Sequence, residues 1–113
     1  MASVASVLTT TNMTAYGPSK AGVVHLTKQM ASGWAKKGIT VNIVSPAFVK
    51  TDLTKRIFEN EEVSRNILNK TPLGRFGELH DLIAPVVFFV SEGASYITEQ
   101  NLLIDGGRSI YSN

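Results

Sequence analysis

Five stretches of this 113-residue chain alternate in an order that leaves few folds open. Residues 1 to 8 read as the end of a buried strand. Residues 16 to 37 carry a helical pattern, with Val23, Leu26, Met30 and Trp34 on an apolar stripe and His25, Lys28, Gln29, Ser32 and Lys36 on a polar one. "ITVNIVSP" (39 to 46) is β-branched, nearly continuous in apolar residues and stopped by Pro46, as a strand would be. Glu78 to Glu92 reads as a second helix, which Pro85 blemishes unless a new turn starts there after a kink. "NLLID" (101 to 105) is a short strand ended by Gly106-Gly107. Strand, helix, strand, helix, strand at this spacing predicts an α/β fold, a parallel sheet with helices on both faces.

The punctuation agrees with that order. A polar loop, "TTTNMT", precedes the first helix, where Thr14 or Asn12 could cap it. Pro18 falls in the first turn, where its missing N–H costs nothing. Gly38 ends the helix after Lys36 and Lys37, two cations suited to its negative end. Residues 51 to 70 suggest a loosely held helix or flap, and "TPLGRFG" (71 to 77) a turn region. On this pattern Trp34 is core, the Phe76, Phe88, Phe89 group is core and interface, and Arg75 is most simply a surface ion pair.

Composition removes several functional classes. With 43% hydrophobic and 18% charged residues the chain has the make-up of one globular domain, 1 to 113, whose core is thin for its size. Eleven basic and nine acidic residues are spread along it, so nothing argues for nucleic acid. The absence of cysteine excludes disulfides, thiolate metal sites and cysteine nucleophiles together. His25 and His80 lie in no ligand-spaced pattern, so no metal is expected. The longest apolar run, "LIAPVVFFV" (82 to 90), is about half of a membrane span, and the first residues lack a basic region. The expectation is a cytoplasmic protein with no membrane partner.

Chemistry concentrates in "AYGPSK" (15 to 20). Tyr16 and Lys20 are four apart, which on a helix places them on one face a turn from each other. A free phenol titrates near pH 10 and is a poor base at neutrality, and an adjacent ammonium favours its ionised form. The spacing alone is common and also fits an ordinary helix start.

The surroundings narrow the choice. Ser3 stands thirteen residues before Tyr16 at the expected strand end; "VNIVSPAFVKTD" and "PLGRFGELHDLIAPVVFFVSEGASYITEQNLLIDGG" follow in order. From Ser3 to Gly107 this set resembles the C-terminal half of the short-chain dehydrogenase/reductase family. The resemblance implies the C-terminal half of a Rossmann-type doubly wound parallel sheet. It implies NAD or NADP as cofactor and a small-molecule alcohol or carbonyl substrate. Tyr16 would be the general acid/base, Lys20 would bind the nicotinamide ribose hydroxyls and favour the phenolate, and Ser3 would hold the substrate oxygen. Pro46, Val49 and Thr51 match the segment contacting the nicotinamide carboxamide and the pyrophosphate. Ser3 and Thr51 also read as ordinary cap residues. A homo-oligomer is implied, through the helix bearing Tyr16 and Lys20 and through the last helix-strand unit.

Three departures accompany the likeness. The nine glycines form no glycine-rich phosphate turn, which the family carries in an N-terminal half, so the chain is expected to be half of an enzyme. The family's Pro-Gly is Pro46-Ala47, and its Thr-Gly-Gln is Thr98-Glu99-Gln100, with a charged side chain where glycine permits a tight turn. Two readings follow: an NAD(P)-dependent oxidoreductase interconverting a secondary alcohol and a ketone, or a piece without catalysis that acts by association.

Overall fold

The computed structural model describes residues 1–9 and 11–111. Two strands, β1 (Ile43–Pro46) and β2 (Asn101–Ile104), pair in parallel, with Ile43 opposite Asn101 and Pro46 opposite Ile104. Helix α1 (Tyr16–Trp34) precedes β1; α2 (Lys55–Glu59), α3 (Glu61–Asn69) and α4 (Leu79–Phe89) fill the long connection that parallel strands require. This is the α/β arrangement expected, with one strand fewer. All four residues of β1 are buried, which accounts for its continuous apolar character.

The polar residues of the sheet are paired. Ser45, fully buried, donates its hydroxyl to Asn101 Oδ1 at 2.6 Å. Residues 39 to 42, expected in the strand, lie outside it: Ile39 N–H bonds back to the Trp34 carbonyl, and side chains take part in the pairing of Val41 and Asn42. Thr98 Oγ1 accepts from the Val41 N–H at 3.0 Å, and Asn42 donates to the Ile97 carbonyl at 2.8 Å. Between those contacts Glu99 sits at φ 67°, the left-handed region that favours glycine, so the sequence departure there is also a conformational one.

Residues 1 to 8 do not form a strand. Ala2 N–H reaches the Val44 carbonyl at 2.9 Å, after which Val4–Ser6 wind into a 3-10 turn. Ser3 closes that turn by accepting the Ala5 N–H at 3.2 Å. Neither Thr14 nor Asn12 caps α1: its N-cap is Ala15, without a side-chain bond, and Asn12 instead takes a left-handed turn at φ 68°. Thr10, part of the expected loop, lies outside the described residues. The α-helix stops at Trp34, a 3-10 turn covers Ala35–Lys37, and Gly38 ends it at φ 75°.

The expected stripe on α1 packs only in part: Val23 and Met30 are half-buried, and Leu26 and Trp34 are exposed. Thr27 and Ala31 are buried, whereas Leu26 is 56% and Trp34 40% exposed, so Trp34 is not core. Phe76 meets Phe58 at 4.5 Å between ring centres with the planes tilted by 58°, and Phe88 pairs instead with Phe89. Among the described residues no helix is long and apolar enough to cross a membrane.

Helix α4 starts on a reciprocal cap in which Glu78 and Asp81 satisfy each other's backbone N–H. Arg75, expected in a surface ion pair, forks onto both Asp81 oxygens at 2.8 and 2.9 Å, and Glu78 N–H adds a third bond at 2.8 Å. The Arg75 hydrogen bonds, then that of Glu78 N–H, hold the Asp81 carboxyl well below the usual carboxylate range. A depressed carboxylate stabilises the fold fully above its unfolded value near 4, and the contribution declines as pH falls below that value. Asp81→Asn should therefore lower the urea midpoint at pH 7, and the gap to wild type should shrink progressively below about pH 4. Solvent screens this exposed pair, so the gap will be modest.

Candidate active site

Tyr16 is the first residue of α1 and Ser3 caps the Val4–Ser6 turn, thirteen residues earlier. The two segments meet closely at Gly17. A methyl group there would lie 3.3 Å from the Ala5 carbonyl oxygen, so the first helical turn and the 3-10 turn pack closely at this point and a side chain would push them slightly apart. Ser3 and Tyr16 consequently line one cavity of about 310 Å³. Tyr16 is 47% exposed, and Lys20, one turn along, places Nζ 5.5 Å from the centre of its ring. That distance is in the range of a cation–π contact and keeps an ammonium beside the phenol.

The bond from Ala5 occupies one lone pair of Ser3 Oγ and leaves the hydroxyl proton for another acceptor. The cap role and a substrate-facing role are therefore compatible in one residue. The same cavity is lined by Ala47 and Phe48, just past the end of β1, and by Arg108, four residues past the end of β2. Thr54 and Ile57 close one side. The cavity thus sits beyond the carboxyl ends of two parallel strands, where open α/β sheets place their ligands.

Of the six residues singled out from the sequence, Ser3 and Tyr16 line the cavity and Lys20 stands against Tyr16. Pro46, Val49 and Thr51 flank it without lining it. Pro46 is the buried last residue of β1. Val49 is buried in an isolated bridge to Gly77, with Gly77 N–H on the Phe48 carbonyl at 2.9 Å. Thr51 is exposed and opens the Asp52–Thr54 turn in a reciprocal cap with Thr54, so the cap reading fits it as geometry. Thr54 also donates to the Val49 carbonyl at 2.7 Å, tying this turn to the strand end.

Phe48, Thr54, Ile57 and Arg108 were not singled out from the sequence. One signal existed for Arg108: it follows the glycine pair that ends a parallel strand. Gly107, at φ 85°, turns the chain there, and Asp105 holds the turn by accepting from Gly107 N–H at 2.9 Å and Ser109 N–H at 2.8 Å. Burial opposes the Asp105 charge, but the hydrogen bonds from Ser109 and Gly107 outweigh it and hold the carboxyl below its ordinary value.

Comparison with known proteins shows the family of the chain. Residues 1–109 match the family model described as Enoyl-(Acyl carrier protein) reductase. An NAD-dependent glycerol dehydrogenase of Listeria innocua is 41% identical over 110 residues, 97% of this chain and 43% of that protein. A short-chain type dehydrogenase/reductase from Mycobacterium ulcerans superposes with a TM-score of 0.96 at 33% identity, over 99% of this chain and 41% of that one. A gluconate 5-dehydrogenase from Burkholderia cenocepacia, in complex with NADP and tartrate, superposes with a TM-score of 0.93 at 30% identity, over 97% and 43%. The chain spans about two fifths of the length of these relatives.

Proposed function

This chain belongs to the short-chain dehydrogenase/reductase family, and we propose that it carries the proton-transfer site of an NAD(P)-dependent oxidoreductase interconverting a secondary alcohol and a ketone. The observation that carries this reading is the meeting of Ser3, Tyr16 and Lys20 at one cavity beyond the strand ends.

Each side chain has a part in it. Ser3 donates its free hydroxyl proton to the substrate oxygen and orients the carbonyl. In reduction Tyr16 Oη passes its proton to that oxygen as charge develops there; in oxidation it takes the proton from the alcohol. The Lys20 ammonium, beside the ring, stabilises the phenolate left behind. A nicotinamide dinucleotide, when bound, supplies or accepts the hydride. The donor set fits the nicotinamide-ribose end of that cofactor. Lys20 would hold the ribose hydroxyls, and Pro46, Val49 and Thr51, at and beyond the end of β1, would border the carboxamide and the nearest phosphate. No glycine-rich turn in these 113 residues would cradle the rest of the pyrophosphate.

A homo-oligomer through α1 and the α4–β2 unit belongs to the same reading. It is supported by Leu26 and Trp34 on α1 and by Ile83, Val87 and Phe88 on α4, all exposed and apolar.

The test joins this chain to the portion of the Listeria innocua dehydrogenase that precedes the matched region. The chimera should turn over NADH with a ketone, or NAD with a secondary alcohol. A folded chimera that binds NADH and turns over none of a panel of such substrates would refute the proposal.

A further inference from the structure

We propose that Arg108 is an anion-recognition residue and that the ligand of this cavity is a hydroxy acid or keto acid rather than a neutral alcohol or ketone. Arg108 is only 7% exposed, and it lines the cavity that Ser3 and Tyr16 share. Its Nε is buried without a hydrogen-bond partner, one of two such side-chain atoms among the described residues. Its recorded polar contact is a long one, from Nη1 to the Tyr111 carbonyl at 3.4 Å. The described ion pairs are Lys55–Glu59, Arg75–Asp81 and His80 with Glu78 and Asp81, and Arg108 takes part in none of them.

A guanidinium always carries its charge and presents five donors in a planar fork. Enclosing one without a carboxylate is costly unless a bound anion completes it. The cavity offers the place. Its lining holds three hydroxyl groups, of which that of Thr54 is given to the Val49 carbonyl, leaving Ser3 and Tyr16 for an alcohol or carbonyl oxygen, and one cation, Arg108. The lining contains no aspartate or glutamate that would compete for that cation. The surrounding Val4, Leu8, Met13, Phe48 and Ile57 are apolar, which strengthens a charge-charge contact inside. Which end of the ligand reacts rests on the proposed Ser3–Tyr16 role; the selection of a carboxylate rests on Arg108 alone.

The experiment uses the 113-residue chain labelled with 15N, following the Arg108 Nε–H resonance, assigned by its loss in Arg108→Gln. Lactate, 3-hydroxybutyrate and gluconate are titrated, each against its uncharged counterpart: propane-1,2-diol, butane-1,3-diol and glucitol. At least one acid should shift that resonance saturably and bind at least tenfold more tightly than its counterpart. In the variants, where that resonance is gone, binding is followed by the backbone amides of Ser3 and Phe48, which line the same cavity; Arg108→Gln should abolish the tenfold preference, and Arg108→Lys, which keeps charge without the fork, should retain part of it. If Arg108→Gln does not fold, the wild-type preference and the Lys variant decide. Equal binding of acid and polyol, no acid shifting the resonance, or a preference unchanged in the Gln variant would each overturn the proposal. Tyr16→Phe should leave the preference intact. Loss of acid selectivity beside Tyr16-dependent turnover in the chimera therefore sinks only this inference, and selectivity without turnover sinks only the reaction.

Discussion

In the chimera with the Listeria innocua segment, Tyr16→Phe should lower kcat by about 10² to 10⁴, with the Kd for NADH changed less than twofold. The substitution deletes one oxygen and its proton and keeps the ring over which Lys20 packs at 5.5 Å. Helix α1 should not be disturbed, since Tyr16 is half exposed and its backbone carbonyl still accepts the Ser19 hydroxyl at 2.7 Å. What is lost is proton transfer to a developing alkoxide, for which positioned general acids contribute rate factors of about that size. The range corresponds to roughly 3 to 5 kcal/mol of barrier. Steady-state turnover together with a fluorescence titration of NADH separates this from a folding defect, which would weaken both. A kcat reduced less than tenfold would assign the proton to another group.

Gly107→Ala should destabilise the chain by about 2 to 5 kcal/mol, read from urea denaturation. Gly107 sits at φ 85°, where a Cβ costs roughly 1 to 2 kcal/mol. That Cβ would also lie 2.9 Å from Pro72 Cγ and 3.2 Å from its Cβ and Cδ. A proline ring cannot swing aside, so overpacking adds about 1 to 3 kcal/mol. Gly22→Ala is the matched control: it sits within α1 with nothing inside 4 Å, and the same methyl group should stabilise there by about 0.5 to 1 kcal/mol. Both changes shifting the midpoint equally would show that the turn after β2 is not the tight element described above.

Why some of this was readable in the amino-acid order and some was not follows from which interactions are local. The alternation of helix and strand, the Tyr16–Lys20 pair and the Arg75 ion pair depend on neighbours within a few residues, and each is visible as a pattern. The left-handed torsion at Glu99 was signalled only by the resemblance, through the family's Thr-Gly-Gln. The first eight residues read as a strand because β-branched and small residues suit one. The hydroxyl of Ser3 folds them into a turn through a bond that a propensity argument does not weigh. On α1 the apolar period marked Val23, Leu26, Met30 and Trp34, of which Val23 and Met30 are half-buried and the other two exposed, while the buried residues are Thr27 and Ala31, whose small side chains permit close approach. A helix with two faces able to be covered shows one period, and the period does not say which face meets its own chain. Arg108 escaped notice for a related reason: its place in the cavity depends on β2 lying beside β1, a contact between residues more than fifty apart.

The hydroxyl-to-amide bond between Ser45 and Asn101 also acts as an alignment key for the two strands. Sliding β2 so that Leu102 takes the place of Asn101 would leave the fully enclosed Ser45 hydroxyl without its partner. Most mispaired registers of so short a ladder would cost little in lost backbone bonds alone. This single contact makes them unequal, and with them the spacing between the segments after Pro46 and after Ile104 that wall the cavity.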